Sequence, residues 1–398
     1  MAGRWRRLRW KPDTALCSLT LCCAGGQDEQ RRGGKPGKRR KVPGMKSVAS
    51  SASFADSVLV PTRSACYNRR ALDGRHRSQF VPAILTPRSH LERLLIVGVD
   101  GLVAANLALC LSDRLQIQGL PLRRLSRNAV RPGTLCDAAD PEALQRMVQG
   151  SQVQWIVYCG QAAEASWSKP QRPMPVDREV RMLRALAEAA EKVGAALTVL
   201  SSDNLFHGPQ LWHAEDEVDD GRRGTAAARR LEAAAEGKRI LVVRTHAYGW
   251  SPAGAAPGLA EQIWQAVVAG QALALDPERY ASPILVSDLA EMLHQAWRQG
   301  LTGLYHLAGA ERVSLPRFAV ELAAAFGMRH FRPAVQRRRL RRPLAETALD
   351  CRRAQCVLQR PMPLLREGLA RFAAQASNGY RARLRVGDSS PSLARAAG

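Results

Sequence analysis

The segment Arg93–Ser112, RLLIVGVDGLVAANLALCLS, constrains the fold more than any other part of the chain. Leu94–Val97 is a four-residue apolar run of buried-strand type, broken by glycine and followed at once by the apolar helical stretch Leu102–Leu111. The same alternation then repeats. Strands are expected at Gln116–Leu122, Trp155–Cys159, Ala195–Leu200 and Arg239–Arg244, and helices at Pro141–Val148, Arg178–Val193 and Thr225–Ala235, with Asp140 placed to cap the first of these helices. Strands separated by helices imply an α/β fold, with a doubly wound and mostly parallel sheet. Farther on, the pattern predicts helices at Pro257–Ala269, Val286–Trp297 and Pro316–Phe326 and a short strand at Gly303–Leu307. The tail 375–398 reads as irregular.

Gly98, Gly101 and Ala104 form G-x-x-G-x-x-A between that first strand and helix. Glycine permits a tight turn and close backbone approach to a pyrophosphate, and the helix starting at Leu102 offers unpaired N–H groups and the positive end of its dipole. Ala104 suits close packing of helix on strand. The spacing therefore predicts a dinucleotide site at Gly98, Gly101, Leu102 and Ala104. After the second strand, LRRLSRN places Arg123, Arg124 and Arg127 where an NAD-preferring site would favour an acidic residue. Arginine forks suit a 2′-phosphate, so NADPH (NADP) is expected over NAD. Asp137 falls where a strand would end near the adenine, or serves as a turn residue.

Bulk properties set bounds. With 398 residues, 46% of them apolar, the chain can bury one α/β body with a smaller lobe. Its net charge of +24 raises nucleic acid as a partner, but residues 1–90 alone carry 19 Lys/Arg against 5 Asp/Glu, and RRRLRR concentrates more at Arg337–Arg342. Arginine can neutralise phosphate, yet no reading helix, zinc-finger spacing or RNA-binding aromatic motif accompanies these clusters, so no specific nucleic acid is expected. Residues 1–90 lack a sustained period and read as a basic, disordered extension, with KPGKRRK resembling a polyanion-binding or nuclear-localisation patch. The nine cysteines include no Cys-x-x-Cys pair, which argues against a disulfide framework or thiolate zinc and for a reducing, cytoplasmic setting with no metal. Leu16–Gly25 is too short and polar for a membrane span, and no other run suffices.

Several later segments carry a resemblance. LSSDNLFHG at Leu200–Gly208 looks like Ser-Thr-Asp-Tyr-Val-Phe-Asp-Gly, and RTHAYG at Arg244–Gly249 looks like Arg-Thr-x-x-x-Tyr-Gly with the tyrosine one residue early. SPILVSDLA at Ser282–Ala290, LTGLYHLAG at Leu301–Gly309, and Arg342-Pro343 followed by Ala348-Leu349-Asp350 continue the same order. Together they resemble the dTDP-4-dehydrorhamnose reductase family of the extended short-chain dehydrogenase/reductases, over roughly 91–374. The resemblance implies a Rossmann-type domain with a small C-terminal substrate lobe built from parts of 246–345. It also implies NADPH-dependent reduction of a 4-keto group on a nucleotide-linked deoxysugar, in polysaccharide or nucleotide-sugar metabolism. In such enzymes a tyrosine protonates the developing alkoxide, a Ser/Thr hydroxyl polarises the carbonyl, and lysine tunes the tyrosine.

Ser202 falls at the Ser/Thr position, where it would polarise the carbonyl or else cap the loop. The departure lies in Asp219–Glu232, DDGRRGTAAARRLE, where the family's Tyr-x-x-x-Lys has no counterpart. Gly224 and Ala228, or Thr225 and Arg229, take those places. Arg229 would supply a positive charge in lysine's stead, though its guanidinium does not titrate near neutrality. Tyr248 and Tyr305 are candidates for a relocated acid, with Tyr248 the stronger. His207, His246 and His306 are too scattered to suggest a metal site. The alternative reading is a catalytically inactive nucleotide-binding relative that acts as a regulatory or structural subunit, with a homodimer or a protein partner.

Overall fold

In the computed structural model, residues 91–122, 140–168, 175–217, 226–335 and 345–385 are described. All of them belong to the unit Ala83–Gly398. The expected extension 1–90 and the arginine run 337–342 lie outside the described residues.

The first half alternates as its sequence pattern predicts: β1 Arg93–Val97, α1 Leu102–Leu111, β2 Gln116–Leu120, α2 Pro141–Ser151, β3 Trp155–Tyr158, α3 Val176–Val193, β4 Ala196–Ser202, α4 Ala226–Ala235 and β5 Ile240–Thr245. Asp140 accepts the Glu142 N–H and Pro141 opens α2, so a cap and a pre-set φ start that helix. Gly194, at φ 70°, ends α3 in the left-handed conformation. The second half comprises β6 Ala247–Tyr248, α5 Leu259–Val268, β7 Ala274–Leu275, β8 Arg279–Ala281, β9 Ile284–Leu285, α6 Val286–Arg298, β10 Gly303–His306, β11 Val313–Ser314, α7 Leu315–Ala325, β12 Ala334–Val335, β13 Ala345–Glu346, α8 Arg352–Leu358, α9 Leu365–Ser377 and α10 Tyr380–Arg385.

The main sheet runs β10-β5-β4-β3-β1-β2 with every pair parallel. Strands buried on both faces need continuous apolar runs. Leu94–Val97 in β1 and Trp155–Tyr158 in β3 provide them, with zero exposure throughout. Trp155 stacks on Trp297 at 4.9 Å between ring centres and donates its indole N–H to Thr198, which seats α6 against the sheet.

A second, smaller core gathers Tyr248, Trp250, Ile263, Phe318, Leu322, Leu369 and Phe372. Part of it comes from the expected stretch 246–345, but α9 and α10 belong to it as well. The reading of 375–398 as irregular therefore needs correction over 375–385. Gly379, at φ 83°, breaks the chain between α9 and α10, and α10 is too short and too arginine-rich to show an amphipathic period. Arg381 and Arg385 both reach the buried Glu261 carboxylate, and the Tyr380 hydroxyl donates to Asn106 Oδ1 at 2.9 Å. No described helix is long and apolar enough to cross a membrane.

Candidate active site

β1 carries Gly98 to the carboxyl edge of the sheet where the strand order reverses, with β2 on one side and β3 on the other. Such switch points are where open α/β sheets leave a crevice. Gly98 has φ +95° and donates its N–H to Leu120 O at 2.7 Å. A Cβ at this position would lie 2.2 Å from Cys159 O, so the turn admits only glycine. Gly101 donates to Gly98 O and forms the N-cap of α1 without a side-chain cap, so no capping side chain occupies the first-turn N–H groups. Ala104 is fully buried beneath them. Asp100, a carboxylate within this turn, accepts the Leu122 N–H at Oδ1, 2.8 Å away, and so braces the turn against the end of β2. An uncapped helix start, a glycine pressed on backbone and a small residue beneath fit a dinucleotide pyrophosphate. Arg123, Arg124, Arg127 and Asp137 lie outside the described residues.

Beside this turn, at Leu102, opens a small cavity. Its walls come from Leu102 on α1, Ala165 and Trp167 after β3, His246–Gly249 after β5, Gly258–Ala260 at the start of α5, and Phe318 on α7. Polar and apolar groups share the lining, and His246 and Tyr248 are its ionisable side chains.

The His246 ring is fixed from one side. Its Nδ1 lies 2.7 Å from Asp203 Oδ2, and its face meets the edge of Trp167 at 4.6 Å between centroids. Asp203 is wholly buried. Oδ1 accepts the Ser166 N–H at 2.9 Å, Oδ2 accepts the Ser166 hydroxyl at 2.6 Å, and Thr347 Oγ1 stands 2.5 Å from Oδ2. Burial alone would raise this carboxyl, but His246 beside it and the hydrogen bonds from His246, Ser166 and Thr347 outweigh burial and hold it below the usual range. Because the folded-state value is depressed, its contribution to stability is present above the unfolded value of roughly 3.9 and is lost as pH falls through the folded one.

Parallel register explains the convergence of two residues 43 positions apart. Ser202 on β4 pairs with Thr245 on β5, so the next residue of each strand, Asp203 and His246, leaves neighbouring strand ends together. Register was the signal that could have joined them from sequence, where Asp203 reads as a loop-orienting residue and His246 as one of several scattered histidines. Ser166, Trp167 and Thr347 carry no such signal.

Other expected residues sit differently. Ser202 is buried, accepts the Asn204 N–H at 3.3 Å to cap a short turn, and is not among the cavity-lining residues, which favours the capping role over carbonyl polarisation. Tyr248 lines the cavity, but its hydroxyl oxygen is buried without a hydrogen-bond partner among the described residues, against the backbone of Gly368. Burial, and then the charge of Asp288, push that phenol well above its ordinary range, the opposite of what a proton donor needs. Arg229 is half-buried on α4 and is not part of the cavity lining. Tyr305 packs under the Arg353 guanidinium on β10. Thr225 and Gly224 lie outside the described residues.

Arg244, from the Arg-Thr stretch, is structural. It grips Glu232 of α4 through two nitrogens, at 3.0 and 2.8 Å, and lies over the Phe206 ring. Its Nη1 is 3.3 Å from His306 Nε2, while His306 Nδ1 is 3.2 Å from Asp350 O. Burial first, and then the Arg244 charge, lower His306 to about 3, so it stays neutral and accepts at Nε2. The unfolded ring takes up a proton below roughly 6.5 and the folded one does not, so stability is complete above that value and falls with acidification. Between pH 7 and 5 this histidine alone should cost about 2 kcal/mol. Urea titrations at the two pH values should show that loss, and His306→Gln should flatten it.

A family model described as the RmlD substrate-binding domain matches residues 92–378. Comparison with curated protein sequences gives no match. Among solved structures, the chain resembles a dTDP-4-dehydrorhamnose reductase from Bacillus anthracis in complex with NADP, at 20% identity and TM-score 0.59, over 71% of this chain and 98% of that one. It also resembles the Bordetella bronchiseptica enzyme WbmG in complex with NAD, at 15% identity and TM-score 0.59, over 74% and 97%. A hypothetical dTDP-4-dehydrorhamnose reductase from Sulfolobus tokodaii aligns at 18% identity and TM-score 0.54, over 67% and 94%. At such identities these likenesses establish a Rossmann-type fold. The family model covers well over half of the sequence, and on that match the chain belongs to the RmlD substrate-binding-domain family.

Proposed function

We propose that this chain is a nicotinamide-dependent reductase of a keto group on a nucleotide-linked deoxysugar, of the dTDP-4-dehydrorhamnose type. The observation that carries the reading is the adjacency of two things: an uncapped α1 start behind Gly98 and Gly101, and a cavity that contains a carboxylate-fixed imidazole. The Gly98–Leu102 backbone would hold the pyrophosphate, with Ala104 allowing the helix to sit close, and Arg123, Arg124 and Arg127 would receive a 2′-phosphate, which favours NADPH over NADH. Bound there, the dinucleotide supplies hydride. Trp167 and Phe318 in the cavity walls would limit water around the reacting carbonyl.

A second reading, a nucleotide-binding relative without catalysis, is favoured by one specific pair of observations: the Tyr248 phenol is sealed against Gly368 and the Ser202 hydroxyl is engaged in a cap. Two measurements separate the readings. Calorimetry with NADPH and NADH should show binding of both, NADPH the tighter; no affinity for either would remove the cofactor assignment. NADPH consumption with dTDP-4-dehydrorhamnose should follow under the reductase reading, whereas binding without consumption supports the silent one.

A further inference from the structure

We propose that His246, aligned by Asp203, is the proton donor of the reduction and stands in for the missing tyrosine. This inference rests on the reductase reading above and deepens it. His246 is the histidine that lines the cavity, and its nearest neighbours define its orientation. Asp203 accepts the Ser166 backbone N–H and the Ser166 hydroxyl, so it is used as an acceptor and therefore as a carboxylate. Against it, Nδ1 of His246 must carry a proton and donate it, which fixes the ring and leaves Nε2 as the nitrogen available to the cavity. The same logic orients the imidazole in Asp–His pairs of hydrolases, where the carboxylate stays ionised and the histidine moves the proton.

The surroundings agree. Of the side chains that touch the ring, Asp203 is charged, while Ser166 and Trp167 are neutral. Phe318 from α7 meets Trp167 edge-on behind it, and Arg279 of β8 donates to Ser166 O at 2.5 Å, one residue's breadth away. A buried carboxylate thus sits directly against the ring. Tyr248 has its hydroxyl against Gly368 and Ser202 lies outside the lining, so neither offers a comparable proton at the cavity.

The step balances without further reagents. A bound reduced nicotinamide would supply hydride to the keto carbon, forming a C–H bond as the C=O π pair moves to oxygen, and would itself be oxidised. That oxygen would take the Nε2 proton, so an N–H bond breaks and an O–H bond forms, giving the alcohol, while Nδ1–H stays directed at Asp203. Asp203 is a positioning residue in this scheme.

The test uses the full chain with NADPH and dTDP-4-dehydrorhamnose. His246→Asn should keep NADPH affinity within about twofold by calorimetry and slow single-turnover reduction about 10²–10³-fold, the range of lost general-acid catalysis. Asp203→Asn should lower kcat less than His246→Asn while leaving the KM for the sugar unchanged, because the ring loses its fixed partner but keeps its donor nitrogen. A readout independent of turnover comes from ¹⁵N-histidine spectra of the wild-type protein with oxidised NADP: adding the keto sugar should move the His246 Nε2 resonance as the carbonyl oxygen accepts its proton. This spectrum stands even if a variant misfolds. Wild-type protein that reduces the sugar while His246→Asn matches its rate, or an Nε2 signal indifferent to the sugar, overturns the inference and leaves the reductase reading intact. Wild-type protein that binds NADPH but leaves the sugar unreduced overturns both.

Discussion

Gly98→Ala is expected to abolish dinucleotide binding and to destabilise the fold by about 3 kcal/mol, a figure drawn from the 1–3 kcal/mol of a strained backbone plus the displacement that must accompany it. Two costs combine. An L-residue at φ +95° is strained wherever it has space, and here there is none, since the new Cβ would lie 2.2 Å from Cys159 O and 3.1 Å from its carbonyl carbon. Those are backbone atoms at the end of β3 and cannot swing aside as a side chain would. The turn must therefore move, and with it the Gly98 N–H to Leu120 O bond that sets its distance from β2. Calorimetry with NADPH gives the binding loss and denaturant titration the stability loss. By contrast, Gly101→Ala meets Gly98 O at 3.3 Å with an ordinary negative φ, so it should be tolerated with less than about 1 kcal/mol of change. If both variants behaved alike, the close approach at Gly98 would not be what shapes the turn.

The parallel sheet was legible because apolar runs such as Leu94–Val97 and Trp155–Tyr158 have one physical explanation, burial on both faces. Helix starts were legible where a cap announced them, as Asp140 does for α2. The C-terminal helices were not. α8 and α10 are short, the segment is interrupted at Gln359 and Gly379, and the arginines of α9 and α10 find their partners, Glu321, Asp288 and Glu261, in distant parts of the chain. The site divides along the same line. A glycine turn is a local feature and is visible in sequence. The Asp203–His246 pair depends on the register of β4 and β5 and on Thr347, more than a hundred residues away. A motif-by-motif reading therefore finds the missing tyrosine more easily than the histidine that the fold places in the cavity.

Trp250→Ala is expected to cost 3–5 kcal/mol, as deletion of a fully buried aromatic does when its site cannot collapse, noting roughly that range for Phe/Trp→Ala. Trp250 has no exposure. Its ring stacks on Phe372 at 4.1 Å, meets Trp264 edge-on at 5.2 Å, and lies under the Arg381 guanidinium at 4.8 Å. These partners belong to α9, α5 and α10, so one side chain joins three helices. Its indole N–H donates to Phe372 O at 3.3 Å, and its own carbonyl accepts from Asn106 Nδ2 of α1 at 2.8 Å. Through Asn106, which also receives the Tyr380 hydroxyl, the aromatic core is tied to the helix whose N-terminus forms the dinucleotide turn. Trp250→Phe keeps most of the stacking while giving up the indole bond and some volume, so a loss of about 1–2 kcal/mol should result. Urea unfolding at unchanged slope would measure both values, and the slope matters because a changed slope would mean a changed denatured or native state. Trp250 is not part of the cavity lining, so NADPH affinity of the folded Ala variant should fall far less than in Gly98→Ala. A loss near 1 kcal/mol for the Ala variant would show that α5, α9 and α10 are held by their arginine–glutamate contacts instead of by this aromatic cluster.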